Sequence, residues 1–115
     1  MLIRLWHTGV KRDGMAEYEE FERNVSLAMF NQQAGCLGVL FLRSREGCAA
    51  LSLWRAESDI AALESSPTYQ QTVARLMASG LLEGEQRIEI FHYAGGAADA
   101  RLFDLIGTWP GVPPP

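Results

Sequence analysis

Long hydrophobic runs are missing from this 115-residue chain. No stretch approaches the roughly 20 apolar residues of a membrane-crossing helix, so no membrane partner is expected. Basic excess is missing too: ten Lys and Arg stand against fourteen Asp and Glu, a net charge of −4. Phosphate backbones require a basic face, so nucleic acid is not an expected partner. The opening MLIRLWHTG carries an early arginine and no small-residue cleavage site, unlike a signal peptide, and the expected location is cytoplasmic. No glycine-rich phosphate loop, nucleophile elbow or cysteine-rich metal motif occurs. Metal and cofactor are therefore not expected.

Cysteine is scarce, with Cys36 and Cys48 alone. Both fall within the most informative stretch, GCLGVLFLRSREGCAALSLW, residues 35–54. It reads as a hairpin turning through Ser44-Arg45-Glu46-Gly47, with Cys36 opposite Trp54 and Cys48 opposite Leu42. The two sulfurs then stand about 20 Å apart along the strands, whereas a disulfide needs Cα atoms within about 7 Å. Both thiols are expected to be free, as in a reducing compartment.

Strand side chains alternate sides, so Val39 and Phe41 oppose Leu40 and Leu42, while Leu51 and Leu53 oppose Cys48, Ala50 and Trp54. Both faces are apolar. One small sheet covers only one face with its own helices, so the second face calls for a partner, and a homodimer is expected.

Met1 to Gly9 alternates as a first strand, placing Ile3, Leu5 and His7 on one side and Leu2, Arg4, Trp6 and Thr8 on the other. Asp13 is positioned to cap a helix whose stripe is Met15, Tyr18, Phe21, Val25 and Ala28, closing at Ala34-Gly35. After the hairpin, a short helix begins near Ser58 with Ile60 and Leu63 inward. Ser66-Pro67 then starts a longer one with the stripe Tyr69, Val73, Leu76 and Met77, ended by Gly80. Residues 85–93, EQRIEIFHY, alternate as a last strand. The order βαββαβ is that of an α+β, ferredoxin-like antiparallel sheet with helices on one face.

Ile3-Arg4-Leu5-Trp6 resembles Leu51-Ser52-Leu53-Trp54. The two segments are taken as parallel central neighbours in equal registry. Arg4, Trp6, Ser52 and Trp54 then share a mixed face under the helices, lining any pocket. Ile3, Leu5, Leu51 and Leu53 form an aliphatic face, the expected dimer seam. From Gly95 the composition changes: 97–106 suits a small helix, and TWPGVPPP cannot join a core. This tail is either frayed or an arm docking Phe103 and Trp109 on a partner subunit.

The first-strand pattern, the hairpin, Leu51-Ser52-Leu53-Trp54, Ser66-Pro67-Thr68-Tyr69 and Leu81-Leu82-Glu83-Gly84-Glu85 together resemble the antibiotic biosynthesis monooxygenase-like (ABM) family. The resemblance covers residues 1–94, leaving 95–115 as a tail. It implies a dimeric α/β barrel and, in some members, cofactor-free oxygenation of aromatic phenols to quinones. Such chemistry needs an electron-rich substrate anion, a dry pocket, a base and groups that hold the anion.

By resemblance, Trp54 matches a pocket tryptophan, although it also suits a core aromatic. The quinone-forming members place asparagine four residues earlier, where this chain has Ala50. Arg4 is costly to bury unpaired, so it reaches solvent, forms a salt bridge or binds an anion. Trp6, Tyr18, Ser52 and Tyr69 are the candidate substrate contacts, the tyrosines serving equally as core residues. His7 is the candidate base, on the reading that it shares a sheet end with Trp54, although its parity puts it on the aliphatic side. His92, on an antiparallel strand, falls at the other end, so the histidines do not form a metal pair. Haem degradation is not expected, because the first strand lacks asparagine and 58–79 lacks histidine. The expected activity is a cofactor-independent monooxygenase acting on a small aromatic or quinone-type compound. The alternatives are a small-molecule-binding dimer without turnover and a proton-transfer isomerase.

Overall fold

The computed structural model describes residues 1–111; Val112–Pro115, the end of the tail, lie outside the described residues. Four strands, β1 (Leu2–Val10), β2 (Cys36–Ser44), β3 (Gly47–Trp54) and β4 (Leu82–His92), form one open sheet in the order β2-β3-β1-β4. Every neighbouring pair is antiparallel.

The parallel pairing expected for β1 and β3 is therefore corrected. The hairpin reverses β3 and inserts it between β1 and β2, which themselves run the same way. Face membership survives, because Leu2 lies opposite Trp54, Arg4 opposite Ser52 and Trp6 opposite Ala50. The hairpin turns where expected, with Ser44 paired to Gly47. A shift between Cys36 and Gly38 moves the register by one, so Cys48 faces Arg43 rather than Leu42. Gly47, at φ +147°, is required there, since a Cβ would sit 2.1 Å from the Thr8 carbonyl oxygen. Both cysteines are free.

The helical layer starts with a 3₁₀ turn (Arg12–Gly14), into which Asp13 falls without making a capping hydrogen bond. It continues as α1 (Met15–Phe21), a π-helical turn (Glu22–Ser26) and α2 (Leu27–Asn31). The π turn carries an extra residue and rotates the face that follows it. The buried side chains are Tyr18, Glu22, Ser26, Met29 and Phe30, while Ala28, placed inward by a 3.6-residue period, is exposed.

Past the sheet's third strand, α3 (Glu57–Ser65) buries Ile60 and Leu63. Ser66 caps α4 (Pro67–Ala78), accepting the Tyr69 N–H at 3.4 Å, with Pro67 in the first turn. Gly80 follows at φ +77°, the left-handed value of a helix-terminating glycine. Met77 points out to solvent rather than inward. A short α5 (Arg101–Ile106) leads to Trp109, which stacks on Phe41 of the same chain at 5.6 Å between ring centroids. Phe103 is 74% exposed.

The core lies between the helices and the mixed sheet face. One cluster joins Leu2, Phe30, Trp54, Ile60 and Leu63; another joins Val10, Tyr18, Cys48 and Leu76. The opposite face is half-covered at Ile3, Leu5, Leu51 and Leu53, and β4 exposes Phe91 there. Among the described residues, no helix is long and apolar enough to cross a membrane.

Candidate functional site

Between the two core clusters the packing leaves a narrow cavity with about 40 Å³ of space for water-sized spheres. Its walls include Trp6 and Ala50 from the central strands, Phe41 from β2, Tyr18 and Phe30 from the first helical segment, and Val73 from α4. Arg4 and Tyr69 bring the polar functions.

Arg4 comes from the middle of a central strand, so its side chain rises beneath the helices instead of escaping at an edge. It is 1% exposed, with no ion pair among the described residues. Its Nη2 donates to Tyr69 Oη at 2.8 Å, and the guanidinium carbon lies 5.2 Å from the Tyr69 ring centroid. Its Nε has no hydrogen-bond partner among the described residues. Because Tyr69 accepts from Arg4, its own hydroxyl proton remains free to donate. The Ser66 cap and Pro67 fix Tyr69 in the first turn of α4, which sets this geometry locally. The pair thus presents a cation and a polarised phenol to a largely apolar space.

Of the residues singled out from sequence, Arg4, Trp6, Tyr18 and Tyr69 converge on this cavity. Three do not. Trp54 is completely buried among Leu2, Phe30, Ile60 and Leu63, and its Nε1 donates to Ser52 Oγ at 2.8 Å. Ser52 Oγ donates in turn to the Arg4 carbonyl at 3.3 Å, so both polar groups are spent inside the core. His7 pairs with Ala49, far along the strand from Trp54, because β3 runs antiparallel to β1. It lies on the aliphatic face, its Nε2 at 3.5 Å from Glu89. His92, opposite Leu2, stands 3.7 Å from Glu57 at the other sheet end.

A residue the sequence reading passed over is Glu22. It is 5% exposed, opens the π-helical turn, and its Oε2 has no hydrogen-bond partner. Burial pushes its carboxyl up to about 8, opposed only by the Arg23 charge. Burial, with the nearby Glu22 and Cys48, also raises the Tyr18 phenol. The Cys48 thiol is pushed up to about 11 by burial, then by Glu22, with Arg43 opposing. The available signal was a glutamate one turn beyond Tyr18, on the buried side of its helix. No group of three or more His, Cys, Asp or Glu converges as a metal site among the described residues.

No family model matches the sequence, and no curated protein does. Solved structures do match the fold. SnoaB, a cofactor-independent oxygenase from Streptomyces nogalater, solved as an Asn-to-Ala mutant, is 18% identical with a TM-score of 0.70, over 85% of this chain and 97% of that one. A putative antibiotic biosynthesis monooxygenase from Caulobacter crescentus is 18% identical with a TM-score of 0.69, over 82% and 90%. Rv0793 from Mycobacterium tuberculosis is 13% identical with a TM-score of 0.68, over 84% and 98%. The chain therefore has the ferredoxin-like α+β fold of the antibiotic biosynthesis monooxygenases.

Proposed function

We propose that this protein is a cofactor-independent monooxygenase-like protein acting on a small aromatic or quinone-type compound, working as a homodimer in the cytoplasm. The supporting observation is the Arg4 guanidinium, buried beside an apolar cavity without a carboxylate among the described residues to answer its charge. Such a cation is costly unless an anion joins it. A phenolate or enolate oxygen accepts from Arg4 and Tyr69 together, and Trp6 and Phe41 offer flat apolar walls for its ring.

Holding the substrate as an anion is what lets it reduce dioxygen directly. In an anthrone, the ring CH₂ becomes a carbonyl; one oxygen atom enters the product and the other leaves as water with the two hydrogens. Stabilising the developing oxyanion in a dry site is the protein's contribution. The half-covered aliphatic sheet face supports the dimer, since two copies pressing it together remove that surface from water.

Oxygen uptake with dithranol, an anthrone, tests the reading. Wild type should consume oxygen, and Arg4→Met should cut kcat/KM by at least about 100-fold. Dithranol that quenches Trp6 fluorescence without oxygen uptake would instead make this a binding protein.

A further inference from the structure

The Arg4 cavity is too small for its task. Its roughly 40 Å³ accommodates a water or two, not a fused aromatic ring. Immediately across Phe41 lies a groove with about 370 Å³ by the same measure, walled by Glu22, Arg43, Cys48, Phe41 and Trp109. Phe41 is the partition, packed on Phe30 at 6.4 Å toward the core and stacked under Trp109 on its other side. Any substrate of two or more rings anchored at Arg4 must therefore take space from this groove.

We propose that Glu22 is the catalytic proton acceptor, touched by a substrate that runs from Arg4 and Tyr69 past Phe41 into the groove, with Trp109 lifted off Phe41 to admit it. The inference rests on the anion-holding reading of Arg4. Its independent support is Glu22 itself, more than nine-tenths buried at the wall of the groove, with a buried Oε2 that has no hydrogen-bond partner among the described residues. Cys48, whose thiol feels the Glu22 charge, pairs with Thr8, four residues along β1 from Arg4, so Arg4 and Cys48 stand about 13 Å apart along the sheet.

The step is a proton transfer. The substrate's acidic C–H or O–H proton passes to Glu22 Oε2, and the electron pair stays on the substrate, delocalised onto the oxygen held by Arg4 and Tyr69. Among the described residues, no other group around Glu22 suits this role. Tyr18 and Cys48 hold their protons more tightly, Arg23 and Arg43 are cations, and Glu19 is already paired with Arg43. A buried carboxylate that binds its proton strongly is a correspondingly stronger base once ionised.

Two readouts on the 115-residue chain separate this proposal from the oxygenase reading. Deuterium uptake at the dithranol CH₂ in D₂O under nitrogen, followed by NMR above the buffer rate, reports proton abstraction alone; oxygen uptake in air reports the whole reaction. Wild type should exchange with a rate rising through pH 8. Glu22→Gln should bind dithranol within about threefold yet lose exchange by about 100-fold or more, and Glu22→Asp should recover part of it. Trp109→Ala should lower KM severalfold with kcat kept. Exchange without oxygen uptake sustains Glu22 and refutes the oxygenase. Wild-type exchange no faster than buffer, a Glu22→Gln variant that exchanges normally, or a Trp109→Ala variant with a raised KM overturns the proposal.

Discussion

Arg4 and Tyr69, sixty-five residues apart in sequence, meet through a 2.8 Å hydrogen bond between a central strand and the first turn of α4. The bond satisfies one guanidinium nitrogen and leaves the charge itself unanswered. Sequestered without a counter-ion, this arginine costs stability that a structural role does not explain.

Arg4→Met should therefore leave stability unchanged or raise it by about 1–2 kcal/mol, while anion binding is lost. Tyr69→Phe should do the opposite to stability: the guanidinium keeps its burial, loses its acceptor, and about 1–3 kcal/mol goes. Urea denaturation of both variants checks this. A strongly destabilised Arg4→Met would mean that the arginine is structural.

Glu22 should tie stability to pH. Its carboxyl is ordinary when unfolded and pushed up to about 8 when folded, so the native state binds the extra proton. The stability this contributes is fully present below the unfolded value near 4.5 and is lost as pH rises through 8. Wild type should lose a few kcal/mol between pH 5 and pH 9, and Glu22→Gln should flatten most of that slope. Denaturant midpoints across this range give the answer.

Trp54 and Ser52 should behave as core residues. Ser52→Ala strands the Trp54 Nε1 proton and should cost about 1–3 kcal/mol. Trp54→Ala opens a large void and should cost about 3–5 kcal/mol. Dithranol affinity of folded Ser52→Ala should stay within about twofold; a larger loss would return these residues to the site.

The half-covered sheet face should drive association. Sedimentation at micromolar concentration should give a dimer, and Leu53→Asp should weaken it by at least about tenfold, by burying charge in an apolar seam. A wild-type monomer would remove the basis for pairing through this face.

Much of this was legible in the residues. Period-2 alternation gave the four strands and their faces, and Ser66-Pro67 with Gly80 bracketed α4, because caps and glycines act locally. Strand direction was not legible: phrase similarity between Ile3–Trp6 and Leu51–Trp54 suggested parallel neighbours, whereas chain connectivity makes them antiparallel. That reversal puts His7 and Trp54 at opposite ends of their paired strands. The helical stripe failed at Ala28 because one π turn adds a residue that no fixed period anticipates. Glu22 lies inside one ordinary helical turn after Tyr18, where a charged residue read from sequence is assigned to solvent.

By itself the sequence determined the elements, their order and the apolar character of both sheet faces, since these follow from backbone periodicity and capping over a few residues. Only the tertiary structure decided which polar groups are buried together. Burial of Arg4 against Tyr69, and of Glu22 beside Cys48 and Phe41, depends on contacts between distant segments, and those contacts set both the charge balance and the available space.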